Sequence, residues 1–427
     1  MPFHNPQEET LDREGLDRIQ REKFARIFEH AVRHSAFYRN KLNRCRFHPR
    51  TDSPSALPLT TRAELENDIF EHPPYGSVLT DRIERYVRLH QTSGSHGSPM
   101  RWLDTAENWD WWKKCWAILY VAGGVLPGDR LFFPFSFGPF IGFWGAFDSA
   151  VEFGNLCLAA GGMSTTARLR HLLQNEATVV CCTPTYALHM AEVAAGAGLD
   201  LRGSAVRLVI VAGEPGGNIP QVRARIESAW GARVLDHAGM TEVGPWGFEC
   251  VEHVGGLHVM ESEFIAEVIN PDTGNDAGEG EPGELVLTNL GRWGSPVIRY
   301  RTGDRVALTH GRCACGRSFA RIEGGILGRF DDMLLIRGNN VFPSAIENIV
   351  RGFDEVAEFR IVVDKRGALT ELCVEIEPRS GQAAKTLTER VKSEVRDRLN
   401  FRATVVLAQP GSLPRFEMKA KRLEIRE

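Results

Sequence analysis

Three short stretches of this chain collect residue types suited to holding a polyphosphate and a sugar. Gln91-Thr92-Ser93-Gly94-Ser95-His96-Gly97-Ser98-Pro99 alternates hydroxyl side chains with glycine. The hydroxyls donate hydrogen bonds, and the glycines let backbone N–H groups approach an anion closely. The chain contains no Gly-Lys dipeptide, so this is not a Walker A loop. Asp236-His237-Ala238-Gly239-Met240-Thr241-Glu242 puts a carboxylate beside a hydroxyl just after an apolar run, oxygen ligands of the kind that hold Mg²⁺ against phosphate. In Arg299-Tyr300-Arg301-Thr302-Gly303-Asp304 a single acidic turn residue can accept from both hydroxyls of a ribose. A solvated ion pair with its arginine neighbours is the plainer alternative.

A fourth group is independent of any nucleotide. Cys313-Ala314-Cys315-Gly316, after Gly311-Arg312, is a tight knuckle that can turn two thiolates toward one ion. Cys250, His253 and His258 precede it, so a closed Cys3His zinc site is open to either histidine, with free buried thiols as the alternative. Cys181-Cys182 lie in an apolar run and read as packing residues.

Rigid elements must stand behind these groups. Short β-branched runs near 178–181, 206–211 and 233–235 each lead into a Gly- or Pro-containing turn and alternate with helical stretches. That rhythm predicts a mostly parallel sheet with ligand groups at the strand ends. Phe24, Ile27, Phe28, Ala31 and Val32 have the spacing of an amphipathic helix. Trp109, Trp112 and Trp116 share one helical face and read as core. Hairpin strands are expected at 264–269 and 284–289. A compact unit follows 328, with strands near 334–336, 359–363, 372–377 and 404–408 and helices at 344–351 and 383–399.

The 427 residues and 47.6 kDa suit one large domain plus a smaller one. A net charge of −4 and a pI near 6.4 give no footprint for nucleic acid or an anionic membrane. The longest uncharged stretch, 131–147, holds two prolines and three glycines and falls short of the roughly 20 apolar residues of a membrane span. The acidic, polar N-terminus has no signal-peptide run, so a cytoplasmic location is expected. Nine cysteines, an odd number, argue for reduced thiols or metal ligands over a disulfide framework.

Taken in order, these motifs resemble the adenylate-forming superfamily of acyl-CoA synthetases and adenylation domains, and within it the phenylacetate-CoA ligases. The resemblance runs from about Tyr86 to the C-terminus and is strongest in Tyr300-Arg301-Thr302-Gly303-Asp304 and in the stretch 328–344 that begins Gly328-Arg329-Phe330-Asp331-Asp332. It implies an α/β chain with a large multi-sheet N-terminal domain, 1–327, binding ATP and the acyl group. A hinge at 328–332 and a small, mobile α+β lid, 333–427, would follow. Thr92, Ser93, Gly94, Ser95 and Gly97 then look like the phosphate loop, and Glu214 and Pro215 like the segment against adenine. Asp236 and His237 would border the base, while Thr241 and Glu242 would contact phosphate and Mg²⁺. Asp304 matches the ribose ligand, Arg329 its neighbour, Asp331 the hinge, and Lys419 the lysine that serves the first reaction step. Similarity to zinc-containing relatives favours Cys250, His258, Cys313 and Cys315, within 250–316, as the structural zinc ligands.

Departures from the family pattern are His96 for a hydroxyl, Ser98 for a lysine, Ala238 for the aromatic over adenine and Met418 for a glycine. The aromatic stretch 133–144 matches the acyl pocket, with Phe135, Phe137, Phe140 and Gly239 as lining residues, which suits the ring of an aryl or arylacetic acid. The resemblance thus implies an AMP-forming ligase that uses ATP, Mg²⁺ and coenzyme A, with a homodimer allowed. A carrier-protein thiol or an amine is an alternative acceptor, and a degenerate nucleotide-binding protein is the alternative from another class.

Overall fold

The structure, a computed structural model, describes residues 3–92, 99–336, 339–364, 366, 371–379, 384–399, 401, 403–416 and 419–426. Strands Leu156–Ala159, Arg130–Phe133, Val179–Cys182, Leu208–Ala212 and Arg233–Met240 lie side by side in that order, all parallel. Their side chains alternate between two cores, as the two-residue period of a strand requires. Val180, Cys182, Val209 and Val211 meet helices Thr165–Gln174, Pro184–Gly196 and Pro220–Trp230. Val179, Cys181, Leu208 and Ile210 face the tryptophan-rich helix Ala106–Gly123, in which Trp109, Trp112 and Trp116 are buried. The central strands, Val179–Cys182 and Leu208–Ala212, are covered on both faces and are continuously apolar.

Beyond Met240 the sheet is no longer parallel. Strands Gly244–Cys250, His253–Val259, Arg321–Ile322, Tyr300–Thr309, Pro282–Asn289 and Phe264–Ile269 extend it antiparallel. No helix intervenes between them, and a parallel return needs a crossover of a dozen residues or more. The expected mostly parallel sheet therefore describes only half of it. Strand Arg233–Met240 also runs five residues past the expected 233–235, so 236–240 of the acidic motif lie within a strand whose register slips between Ala238 and Met240, and Thr241 and Glu242 lie in the turn that follows.

Gly328–Arg329 still pairs with Tyr300–Thr309, and a single 3-10 turn, Phe330–Asp332, leads out of the large sheet. A separate four-stranded sheet follows, in the order Thr404–Leu407, Glu371–Pro378, Val356–Asp364, Leu423–Arg426. Ile346, Ile349, Phe359, Val374, Leu387 and Val391 form its own core under helices Pro343–Arg351 and Ala384–Leu399. The closing strand, Leu423–Arg426, is not among the expected strands: its Leu-Glu-Ile-Arg alternation has the two-residue period of a strand but is only four residues long. It is nonetheless the element that carries the chain past Lys419. Among the described residues no helix is long and apolar enough to cross a membrane.

Candidate active site

The parallel strands end along one edge, where the loops that leave them converge. Asp236 is buried there, and its backbone N–H donates to Glu249 Oε2 at 2.8 Å. A β-carbon on Gly217 would stand 2.3 Å from Asp236 Oδ1, so the glycine makes room for the carboxyl group. Burial, and after it the charge of Glu249, raises the Asp236 pKa to about 7. His237 donates from Nδ1 to the carbonyl of Gly247 at 2.7 Å. A carbonyl only accepts, so Nε2 is left as the acceptor, and it borders Gly239. Burial lowers the His237 pKa to about 4, and the neutral ring meets Trp116 at 4.5 Å.

Glu242 is buried and its Oε1 accepts from the Tyr300 hydroxyl at 2.8 Å. Thr241 is held through its carbonyl, which accepts from Arg292 Nη1 at 2.6 Å. Asp304 stands opposite Arg329 in the strand register and accepts from its Nη1 at 2.9 Å. Its second oxygen, Oδ2, is buried and has no hydrogen-bond partner among the described residues. Desolvation raises the Asp304 pKa to about 6 against the pull of Arg329 and Lys419. A buried acceptor left unpaired is costly unless a ligand satisfies it. Gly303, at φ +75°, lies under Arg329 and Asp331, where a β-carbon would come within 3.1 and 3.2 Å of their side chains.

Lys419 comes from the C-terminal unit. Its side chain keeps access to solvent, yet the surrounding protein desolvates the ammonium and lowers its pKa, opposed by Glu214, Glu242 and Asp304. Those carboxylates are its charged neighbours, so the tail, the turn after strand Arg233–Met240 and Asp304 come together. Glu214 Oε1 accepts from the Thr185 N–H at 2.8 Å, and Pro215 is exposed on the same turn.

Thr92 is buried at the start of the glycine-rich loop. Its N–H donates to the Met100 carbonyl at 3.0 Å and its hydroxyl accepts from the Met100 N–H at 3.1 Å, which closes the base of the loop. Ser93, Gly94, Ser95 and Gly97 lie outside the described residues, as do His96, Ser98 and Met418. Gln91 N–H donates to the Pro139 carbonyl at 2.8 Å, tying this loop to the aromatic segment. There the ring of Phe135 stands 5.2 Å from Phe137 and 5.8 Å from Phe143, and Phe140 is half-buried. Phe143 reaches Trp116 at 6.2 Å, and Trp116 reaches His237. A continuous aromatic path thus joins the Phe135 segment to the strand bearing His237 and Gly239.

Cys250, His258, Cys313 and Cys315 are all buried, and their ligand atoms lie within 4.8 Å of one another. Cys250 Sγ is 3.8 Å from Cys313 Sγ, and Cys315 Sγ is 3.6 Å from His258 Nε2. Tetrahedral Zn–S and Zn–N bonds give edges of about 3.8 and about 3.6 Å, so the donor set fits zinc. His258 Nδ1 donates to the Phe319 carbonyl at 3.3 Å, leaving Nε2 to face the thiols. His253 is directed elsewhere, its Nε2 lying 3.1 Å from Glu323. The N-terminal segment covers this knuckle: buried Glu9 accepts from Arg317 Nε at 2.7 Å, and the Ser318 hydroxyl donates to the Leu11 carbonyl.

Sequence reading missed Arg292, Asp104 and Trp116 as parts of this site. Asp104 and Arg292 are 188 residues apart, and no local pattern marks them as partners.

A family model described as AMP-binding enzyme matches residues 86–291, and one described as AMP-binding enzyme C-terminal domain matches 338–424. The phenylacetate-coenzyme A ligase of Thermus thermophilus is 31% identical over 441 residues, covering 97% of each chain. A 2-hydroxyisobutyryl-CoA ligase crystallised in the postadenylation state with its acyl-AMP superimposes with a TM-score of 0.93 at 28% identity, over 99% of this chain and 93% of its own. The same ligase with acyl-AMP and CoA in the thioesterification state gives 0.75 at 28% identity, over 99% and 92%. This chain therefore superimposes better on that ligase's postadenylation arrangement than on its thioesterification arrangement.

Proposed function

From a chain that belongs to the AMP-binding enzymes and is an AMP-forming acid–CoA ligase among them, we propose an aryl or arylacetic acid as substrate and assign the roles of its residues. The observation that carries this reading is the cleft in which Lys419, Glu214, Glu242, Asp304 and Arg329 are electrostatic neighbours. In the first step a carboxylate oxygen attacks the α-phosphorus of ATP, and the bond to pyrophosphate breaks. Anions meet in that step, and the Lys419 ammonium, aimed where charge builds up, stabilises the transition state. Asp304 supplies its unpaired Oδ2 to ribose hydroxyls, with Arg329 beside it. Thr92 anchors the phosphate loop, while Asp236 and His237 border the base. In the second step the CoA thiolate attacks the acyl carbonyl, and AMP leaves with its electron pair. Asp331, in the turn that leaves the large sheet, is the hinge about which the C-terminal unit rotates between steps.

Glu242, with Thr241, would hold Mg²⁺, whose charge neutralises phosphate oxygens. Cys250, His258, Cys313 and Cys315 would hold a structural zinc. The aromatic substrate is supported by the Phe135–Phe137–Phe143 cluster and by the phenylacetate specificity that the Thermus relative's name carries. Pyrophosphate exchange across a panel of acids tests it, with product mass measured with and without CoA. Arylacetic acids should give the highest rates and a CoA-dependent thioester. Preference for 2-hydroxyisobutyrate would overturn the aromatic assignment.

A further inference from the structure

The Glu214 carboxylate joins two parts of the chain that the reaction must bring together. Its Oε1 accepts the N–H of Thr185, in the first turn of helix Pro184–Gly196, and its Oε2 accepts the N–H of Ala420 at 2.6 Å. Ala420 directly follows Lys419, so pinning that amide fixes the main chain from which the lysine projects. Lys419 Cε would lie 3.5 Å from a β-carbon on Gly213, so the lysine stem runs along the backbone just before Glu214. A second link between the two units ends on the same helix start. Arg422 Nη1 donates to the Thr185 hydroxyl at 3.3 Å and to Glu347 Oε1 at 3.2 Å, while its Nε and Nη2 are held by Glu358 of the C-terminal unit.

We propose that Glu214 is a positioning residue: its carboxylate latches the C-terminal unit in the arrangement that presents Lys419 to the acyl–phosphate junction, and release of the Ala420 amide accompanies rotation toward thioester formation. This rests on the role given to Lys419 above, and it gives the Glu214 carboxylate a task beyond bordering adenine, since each of its oxygens accepts from a protein N–H group. A charged acceptor makes each of these bonds roughly twice as strong as a neutral one would. Glutamine has the same shape but one carbonyl oxygen, and its NH2 would face a donor, so only one of the two bonds can survive; the one to Ala420 yields, because the C-terminal unit can move away while Thr185 stands in the same domain as residue 214.

The test compares wild type with Glu214→Gln in three measurements: hydrogen exchange at the Ala420 amide, pyrophosphate exchange, and thioester formation from preformed adenylate. Protection at Ala420 should be lost. Adenylation should slow by about 10-fold in kcat with the KM for ATP within about twofold, and thioester formation from adenylate should hold its rate or gain. Ala420→Pro, which deletes the donor and leaves Glu214 in place, should reproduce the same split if the glutamine variant folds poorly. Retained protection at Ala420, equal losses in both half-reactions, or a raised KM for ATP at unchanged kcat would each overturn the latch. Lys419→Ala separates the two readings. If it adenylates at the wild-type rate the lysine assignment fails, whereas exchange at Ala420 in Glu214→Gln still reports on the latch.

Discussion

Arg292 and Asp104, neither with any side-chain exposure, form a two-pronged pair at 2.7 Å on each prong, and the third nitrogen of Arg292 carries the carbonyl of Thr241. The guanidinium also lies over the rings of Trp102 and Trp112, at 5.6 and 5.2 Å. A buried ion pair therefore fixes the main chain where the motif 236–242 turns toward the cleft. Removing one partner strands the other charge in the interior, a loss of about 3–5 kcal/mol. Asp104→Asn should lower stability by an amount of that order in a denaturant titration. It should also reduce adenylation in the fraction that stays folded, because Thr241 and Glu242 lose their support. Unchanged stability would mean the pair is dispensable.

Lys419 is the one ammonium among Glu214, Glu242 and Asp304 in the described cleft. Lys419→Ala should cut pyrophosphate exchange by about 10²-fold or more, the scale of deleting a preorganised charge at a transition state. Thioester formation from supplied adenylate should hardly change, since the proposed rotation withdraws the lysine before that step. Equal losses in both half-reactions would refute the assigned role.

The motifs placed most of these groups because each is local in sequence. The stretch 300–304 and Arg329 are strand partners, and the knuckle 313–316 carries its own turn. What sequence hid is non-local. The Arg292–Asp104 pair spans 188 residues, the contact of Trp116 with His237 crosses from a helix to a sheet, and the Ala420–Glu214 bond crosses 206 residues. Periodicity marked Trp116 as core, which it is, without showing what else its ring touches. The change to antiparallel pairing after Met240 followed from the absence of helices there, a signal readable in the turn-rich texture of the sequence beyond Cys250. The choice between His253 and His258 needed the fold, since only packing sends His253 to Glu323.

Asp304 carries a pKa of about 6 because burial disfavours its charge. A carboxylate accepts from two hydroxyls, whereas its protonated form turns one oxygen into a donor. As pH falls from 8 through about 6 the ionised fraction drops to half, so the KM for ATP should rise in that window. Asp304→Asn should bind ATP weakly throughout, and the ratio of variant to wild type should narrow toward low pH. A ratio independent of pH would show that Asp304 does not titrate there.

The four ligand atoms of Cys250, His258, Cys313 and Cys315 lie within 4.8 Å of one another, with the Cys250–Cys313 and Cys315–His258 spacings at tetrahedral values. Purified protein should contain one zinc per chain by elemental analysis, and Cys313→Ser with Cys315→Ser should abolish it. A structural zinc adds folding free energy, so the same substitutions should lower Tm and loosen the N-terminal segment, whose Glu9 and Leu11 are tied to Arg317 and Ser318. Proteolysis within the first twelve residues would report that loosening. Metal-free wild type of undiminished Tm would remove the zinc assignment.

The acid pocket can be probed through a glycine. Gly142 has φ +33°, and a β-carbon there would stand 2.3 Å from Phe135 Cζ, so the phenyl ring rests on a position that must lack a side chain. Gly142→Ala strains the backbone and drives the ring from its place against Phe137 and Phe143. Phe135→Ala does the opposite: it keeps the backbone and opens space beside the same rings. If this segment lines the acyl site, the two substitutions should move acid preference in opposite directions, alanine at 135 admitting bulkier ring-substituted acids and alanine at 142 rejecting them. A single methylene in such a pocket is worth about 1–3 kcal/mol of discrimination, so loss of a whole ring should shift ratios of kcat/KM between small and large acids by 10-fold or more. The KM for ATP should stay constant in both variants, because Asp304 and Arg329, to which the ribose is assigned, lie on a strand pair apart from this loop. Parallel losses for every acid, with no change in their order, would place the cluster in the core and leave the substrate to be set elsewhere.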